Sequence, residues 1–487
     1  MAKNMELGRV QQRVDEFRRE LAETPVEQLN CRALERRAQE ITSELGRALM
    51  GEVFRRSDTQ SPTVEINGEQ WGNRRVSPGT YTTIFGEIDV ERSTYQRVGR
   101  GRVAVPMELR LGIVEDGYTP QMTRIITHSA AVMTAEDAAG FFAEVGVATV
   151  SSSTVHRVAS AMAARHETMR EQINADVREA DGIPKGAVAV QVALDGVMVP
   201  QDGEHAKPRG RKTEHSSPPR YQLRYELGPI LGPAAHDDGT GRTWHEASVG
   251  TVSFFDEEGF LLKTTYLARM PEARKATLVE ELHDELRTVL RERPDLTVCL
   301  ASDGANYHWT VLTELAAQRP DEATGDVLFL TDFYHVAKYL TQAAEAVAGE
   351  GTPEAKVMAA SWRETMKEFA GGADRVLKSM RYHRDRVATE ADRVALQDAI
   401  DYVAAQRKQE RTGYAHAIAR NLPIGTGITE AAAKTVVGVR MKRAGARYSE
   451  HGGQTIMLFR TAVLSRRFDS LSQSLEVSYA AKIDEAA

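Results

Sequence analysis

Residues 1 to about 57 carry apolar positions at helical spacing, with many charges and few breakers, which predicts helices. From Thr63 to Arg97 the period changes to two. TVEING ends in a turn, and GTYTTIFGEIDVERSTYQ alternates apolar and polar residues around Gly86, so strands are expected. Helical spacing returns from about Pro120 to Val177. Within it, TAEDAAGFFAEVG and SSSTVHRVASAMAARHE read as two short helices. Thr134 with Asp137 forms an N-cap signal for the first, and Ser152 or Ser153 is placed to cap the second. Gly146 lies between them, so the pair fits a helix-turn-helix. An ordinary helical hairpin in a bundle fits the same pattern.

A linker at Gly182-Ile183-Pro184 opens the next part. AVAVQVALD, from Ala187 to Asp195, reads as a buried strand ending in an acid. The polar, Pro- and Gly-rich stretch from Gly203 to Pro219 reads as a loop. WHEASVGTVSFFDEEGFLLKTTYLA predicts a hairpin turning at Glu257-Glu258-Gly259. PEARKATLVEELHDELRTVLRER predicts a helix with Pro271 at its start. LTVCLASD is a strand ending in Asp303, and a helix then leads to DVLFLTD, a strand ending in Asp332. After His335 the pattern stays helical to about Arg420, too long for a simple connection. NLPIGTGITE turns into a helix carrying Glu430, and helices follow through GGQTIMLFRTAVLSRRFDSL.

This order predicts an α/β sheet in which three hairpin-paired strands precede strands that alternate with helices and pair in parallel. In such open sheets, functional groups gather beyond the carboxyl ends of the parallel strands. Asp195, Asp303 and Asp332 all fall at predicted strand ends. Collected carboxylates suit phosphodiester chemistry, because Mg²⁺ takes hard oxygen ligands and two such ions can activate the attacking oxygen and stabilise the leaving one. Each acid also has a plainer reading. Asp195-Gly196 and Asp303-Gly304 are turn pairs, Asp332 is placed to cap a helix, and Glu430 is spaced i,i+4 from Lys434.

Length and composition narrow the class. The chain has 487 residues, 41% hydrophobic and 27% charged, which predicts a soluble globular protein of several units. No run approaches a membrane span, and the first residues lack the apolar region of a secretory signal, so a cytoplasmic location is expected. Only Cys31 and Cys299 are present, which excludes a disulfide framework and a four-cysteine zinc site. The net charge of −7 argues against nucleic acid only on average. Lys207 to Arg224 holds six basic residues against Glu214, among them Lys207, Arg209, Arg211 and Lys212. Ala431 to Ser449 holds Lys434, Arg440, Lys442, Arg443 and Arg447 and no acid. Both runs are candidate DNA-binding surfaces, with a solvated face as the alternative.

Four stretches in this order resemble a known family: ALDG at Ala193 to Gly196, SDGANYHW at Ser302 to Trp309, DFYHVAKYL at Asp332 to Leu340, and GTGITEAAAKTVVGVRMKRAGARYS at Gly425 to Ser449. FGEIDVERSTYQ and PMELRLGI add to the likeness. The chain resembles bacterial insertion-sequence transposases of the DDE class, in particular the ISKra group, which is related to Mutator-like transposases. The resemblance covers about residues 75 to 470.

It implies an RNase H-like catalytic core with a helical insertion, preceded by helical and small β N-terminal regions. Asp195, Asp303 and Glu430 become the three catalytic acids, holding two Mg²⁺ or Mn²⁺ ions per site. Asp332 and His335 match a D-x-x-H motif that sits near the active site without supplying the main ligands; a structural i,i+3 hydrogen bond is the plainer reading of that pair. The expected division is 1–60 helical, 61–115 small β, 116–180 helical and DNA-binding, 185–335 first part of the core, 336–424 helical insertion, 425–470 second part of the core, and 471–487 tail. The partners implied are double-stranded DNA, at terminal inverted repeats and at the target, and further copies of the chain in a homodimer or larger assembly. The location implied is the bacterial nucleoid.

Two departures from the family stand out. TYQRVGRGRVAVP lacks the cysteines that relatives often carry there, so no zinc is expected and DNA contact would rest on Arg97, Arg100 and Arg102. Tyr448 stands where the family usually has Trp, which keeps an aromatic face. A metal-dependent nuclease on the same core, which cuts without joining, and a domesticated DNA-binding regulator are the alternatives.

Overall fold

A computed structural model describes residues 2–97, 103–115, 117–146, 148–202, 242–443, 446, 448–480 and 482–485. Arg100, Arg102, Lys207, Arg209, Arg211, Lys212, Arg447 and the Gly203–Pro219 loop fall outside the described residues. The chain divides into two compact units, residues 1–177 with 468–487 and, apart from 219–223, residues 178–467.

The first unit starts with α1 (Ala2–Glu23) and α2 (Cys31–Ser57), the latter capped by the Asn30 side chain. Strands β1 (Val64–Ile66), β2 (Glu69–Thr83), β3 (Gly86–Arg97) and β4 (Val103–Ala104) follow. The β2–β3 hairpin turns at Ile84-Phe85, and Gly86 takes φ +106°, a conformation that favours glycine. After the short α3 (Pro106–Arg110) come α4 (Pro120–Val132), α5 (Ala135–Val145), α6 (Ser152–Thr168) and α7 (Arg170–Ala180). The helices α4, α5 and α6 pack on one another. Thr134 and Asp137 make the reciprocal capping box, and Gly146 ends α5 in the left-handed region. The cap of α6 is Ser151, one residue before the expected serines, because its hydroxyl is the one that accepts from Thr154 N.

The second unit is built on β5 (Ala189–Asp202), β6 (Arg242–Phe255), β7 (Leu261–Arg269), β8 (Thr297–Ser302) and β9 (Val327–Thr331), in the order β7-β6-β5-β8-β9. β5, β6 and β7 pair antiparallel, and β8 and β9 run parallel to β5. The mixed α/β pattern read from periodicity is therefore present.

Alternation along β5 sorts its side chains to two faces. Val190, Val192 and Leu194 join the core formed with α8 (Ala276–Glu292) and α9 (Asn306–Ala317). Ala189 joins the core of the other face. That core also holds α10 (Phe333–Ala348), α11 (Pro353–Glu368), α12 (Gly372–Arg384), α13 (Glu390–Lys408) and α14 (Tyr414–Ala419). The expected helical insertion thus shares its core with the sheet. Further along the same face, Val199, Ala247 and Val249 pack under α15 (Gly427–Ala432), a π-helical stretch at Ala433–Gly438, α16 (Val439–Met441) and α17 (Glu450–Leu464).

Three expectations are corrected. Asp195 does not end its strand, because antiparallel pairing with β6 carries β5 on to Asp202 after its pairing with β8 stops at Ala193. The helix after β7 starts at Ala276 and not at Pro271, because Arg274 and Lys275 take positive φ of 55° and 50°, which breaks the helix there. The expected tail at 471–487 carries regular structure among its described residues. α18 (Phe468–Tyr479) belongs to the first unit, and β10 (Ile483–Glu485) pairs with β1 at the edge of its sheet.

Candidate active site

Asp195 lies on the sheet face that carries α10–α17, two residues past the last β5–β8 pair. Its Oδ1 accepts from Gly196 N at 2.7 Å. Asp303 follows β8 directly. The turn reading of this acid is also correct, since Oδ1 accepts from Ala305 N at 3.1 Å and from Ser302 Oγ at 3.2 Å. Gly304 takes φ +108° to make that turn. Glu430 sits on α15, exposed, with no ion pair to Lys434.

The three acids line one cleft of about 690 Å³, together with Val197, His335, Thr426, Lys434 and Lys442. Asp332 is not on its wall. It is 1% exposed, its Oδ1 caps α10 by accepting from His335 N at 2.7 Å, and its Oδ2 accepts from Thr426 N at 2.5 Å and Thr426 Oγ1 at 2.8 Å. Asp332 therefore ties the end of β9 to the loop that leads into the Glu430 helix. Its bond to His335 goes to the backbone, which leaves the imidazole facing the cleft.

Sequence reading missed the residues that seat the Glu430 segment. Gln191 donates to Gly425 O at 3.1 Å, and Thr251 Oγ1 meets Thr429 Oγ1 at 2.7 Å. A signal existed: Gln191 is a polar residue inside an apolar strand, four positions before Asp195 and on the same face. His308 was also passed over. Its Nδ1 lies 3.3 Å from Ser302 Oγ and 3.6 Å from Asp303 Oδ1, and its Nε2 lies 3.4 Å from Lys275 Nζ. An ammonium can only donate, so Nε2 accepts from Lys275 and Nδ1–H donates to Ser302 Oγ, whose own hydroxyl donates to Asp303 Oδ1.

These neighbours separate the two paired acids. The His308 imidazole 3.6 Å away, helped by Ala305 N, holds Asp303 well below the usual carboxylate range. Burial, with the Asp303 charge beside it, pushes Asp195 up.

No family model matches the chain, and no curated protein is significantly similar to it.

Among the described residues, no group of three or more His, Cys, Asp and Glu side chains stands close enough to form a ready-made metal cage. The three carboxylates lining the cleft are hard oxygen donors of the kind Mg²⁺ or Mn²⁺ takes, and they stand beside the His335 imidazole and the Lys434 and Lys442 ammonium groups. The basic run after Glu430 divides. Lys434 and Lys442 line the cleft, and Arg443 is exposed. Arg440 does not share an open helix face with Arg443. It is 4% exposed, α16 stops at Met441, and its Nη1 donates to Tyr448 Oη at 3.2 Å. Tyr448 in turn donates to Arg440 O at 2.9 Å and packs on the core under α15–α17, so its ring is a packing element. Arg97 pairs with Glu69 at 3.1 Å. No described helix is long and apolar enough to cross a membrane.

Proposed function

We propose that the protein is a DNA transposase of the DDE class, with an RNase H-like core in which Asp195, Asp303 and Glu430 hold the catalytic ions. The observation that carries this reading is the convergence of three acids, from positions 195, 303 and 430, on one cleft. The sheet order supports it: numbered within the unit, the strands run 3-2-1-4-5 with the second antiparallel to the rest. Mg²⁺ or Mn²⁺ held there would activate water or a DNA 3′-hydroxyl and stabilise the leaving oxygen.

The chain's own residues account for the rest. Asp303, kept ionised by His308, and Asp195 beside it present negative charge at the end of the parallel strands. Glu430 lines the same cleft from α15, on a helical segment that continues as a π-helix, a rare form found often at functional sites. Lys434 and Lys442 offer cations to the DNA phosphates. In the first unit, the packed α4–α6 with the Gly146 turn are the proposed helix-turn-helix, with α6 as the helix that enters the major groove.

The test is incubation with Mg²⁺ and end-labelled DNA carrying the repeats that flank the gene. The proposal expects cut ends and their joined products on a target plasmid, both lost in Glu430→Gln. Cutting without joining would favour a nuclease, and binding without either would favour a regulator.

A further inference from the structure

The helices between β9 and the Glu430 segment do more than cover the sheet, because three of their side chains bond to the ends of the catalytic strands. Tyr402, on α13, donates from Oη to the Asp303 carbonyl at 3.0 Å. Gln406, one turn on, accepts from Thr331 Oγ1 at 2.8 Å, and Tyr414 donates to Thr331 O at 2.8 Å. The first of these contacts falls on a metal-ligand candidate. The backbone there is confined from the other side as well, since a Cβ at Gly304 would meet Tyr402 Oη at 2.7 Å. The Tyr402 ring is itself fixed by stacking on Tyr339, with centroids 3.9 Å apart and planes 12° apart. His335, on the cleft wall, lies 5.7 Å from the Tyr339 ring and 5.8 Å from the Tyr402 ring. Burial, with the Tyr339 and Asp303 neighbours, pushes the Tyr402 phenol up, so it remains a donor.

We infer that Tyr402 is a positioning residue that aims the Asp303 carboxylate into the cleft, so that the helical insertion sets the geometry of the metal site. The inference rests on the proposed reading of the cleft as a metal site. The logic is local. Asp303 spends Oδ1 on its own turn, through Ala305 N and Ser302 Oγ. Only Oδ2 is left for an ion, and its direction follows the peptide that Tyr402 holds. Without the hydroxyl, the 303–304 peptide gains freedom and the carboxylate loses its aim, while the ring can still stack on Tyr339.

The experiment is Mn²⁺ titration of the full chain, followed by the loss of the free-ion electron paramagnetic resonance signal, for wild type, Tyr402→Phe and Asp303→Asn. Circular dichroism melts run beside it. Loss of a supporting bond to a metal ligand typically weakens affinity about 10- to 100-fold. Tyr402→Phe should bind Mn²⁺ about 10-fold more weakly, with a normal fold at the titration temperature and unchanged DNA affinity. Asp303→Asn should lose the site. If Asp303→Asn loses Mn²⁺ while Tyr402→Phe binds like wild type, the Tyr402 inference is overturned and the site reading stands. If Asp303→Asn binds like wild type, the site reading itself fails. A purely structural role for Tyr402 would lower the melting temperature and leave Mn²⁺ affinity intact, which also overturns the inference.

Discussion

Asp195 and Asp303 share one cleft and are driven in opposite directions. Burial and the neighbouring charge raise Asp195, and His308 lowers Asp303. As pH falls in the metal-free protein, the raised group takes its proton first, so Asp195 protonates while Asp303 is still ionised. The consequences for stability have opposite signs. Asp303, lowered in the fold, adds stability above its unfolded pKa, and that stability is lost as pH falls through the folded value. Asp195, raised in the fold, adds stability that is full below its unfolded pKa and lost as pH rises through its folded value. Asp195→Asn should therefore melt at or above the wild-type temperature at neutral pH, with the gap closing as the buffer approaches pH ~4. Thermal melts across pH check this; a variant that melts lower at neutral pH and gains nothing there would contradict it. The acids themselves were legible, because each ends or follows an apolar run. Their supports were less so: the contact of His308 with Ser302 and Asp303 spans a turn, and the bond from Gln191 to Gly425 spans most of the second unit.

At the scale of elements, the Glu430 segment depends on a buried acid that is no ligand. Asp332→Ala removes the cap of α10 and both bonds to Thr426. A buried group left without its partner costs about 1–3 kcal/mol, so the variant should melt lower and cut more slowly than an exposed control such as Asp321→Ala. Equal melting and cutting rates would show that the Asp332 bracket is dispensable.

The basic run that follows was only half legible. Charge and spacing put Arg440 beside Arg443, but a π-helical stretch shifts the register and α16 ends at Met441, which turns Arg440 inward. The salt dependence of DNA binding should sort them. Each phosphate contact contributes a slope of about 0.9, so Lys434→Ala and Lys442→Ala should each flatten the slope by about that amount. Arg440→Ala should lower stability and leave the slope unchanged. A flattened slope for Arg440→Ala alone would place it on the DNA and refute its burial.

For the whole molecule, the alternation of periods two and 3.6 revealed both the helices and small sheet of the first part and the α/β second part. It did not reveal that the last residues return to the first sheet, since Ile483–Glu485 is three residues long and held by backbone pairing that leaves no pattern. Nor did it reveal the ion cluster at the start and end of the second unit. Arg467 makes two bonds to Glu285, at 2.5 and 2.8 Å, and pairs with Asp181, which Lys263 also meets at 2.6 Å. Arg467→Ala leaves the buried Glu285 without its cation, while Asp181 keeps Lys263; breaking such a buried pair typically costs about 3–5 kcal/mol. Its melting should fall well below that of Arg466→Ala, and matching melts would remove the cluster from the account of stability.

The claim that three distant acids make one metal site is tested most directly by replacing Mg²⁺ with Fe²⁺ and adding ascorbate and peroxide, so that radicals cut the polypeptide around the bound ion. The account predicts fragments ending near residues 195, 303 and 430, all suppressed together by excess Mg²⁺ and by Asp303→Asn. Cuts confined to other segments, or cuts near 430 that persist in Asp303→Asn, would contradict it.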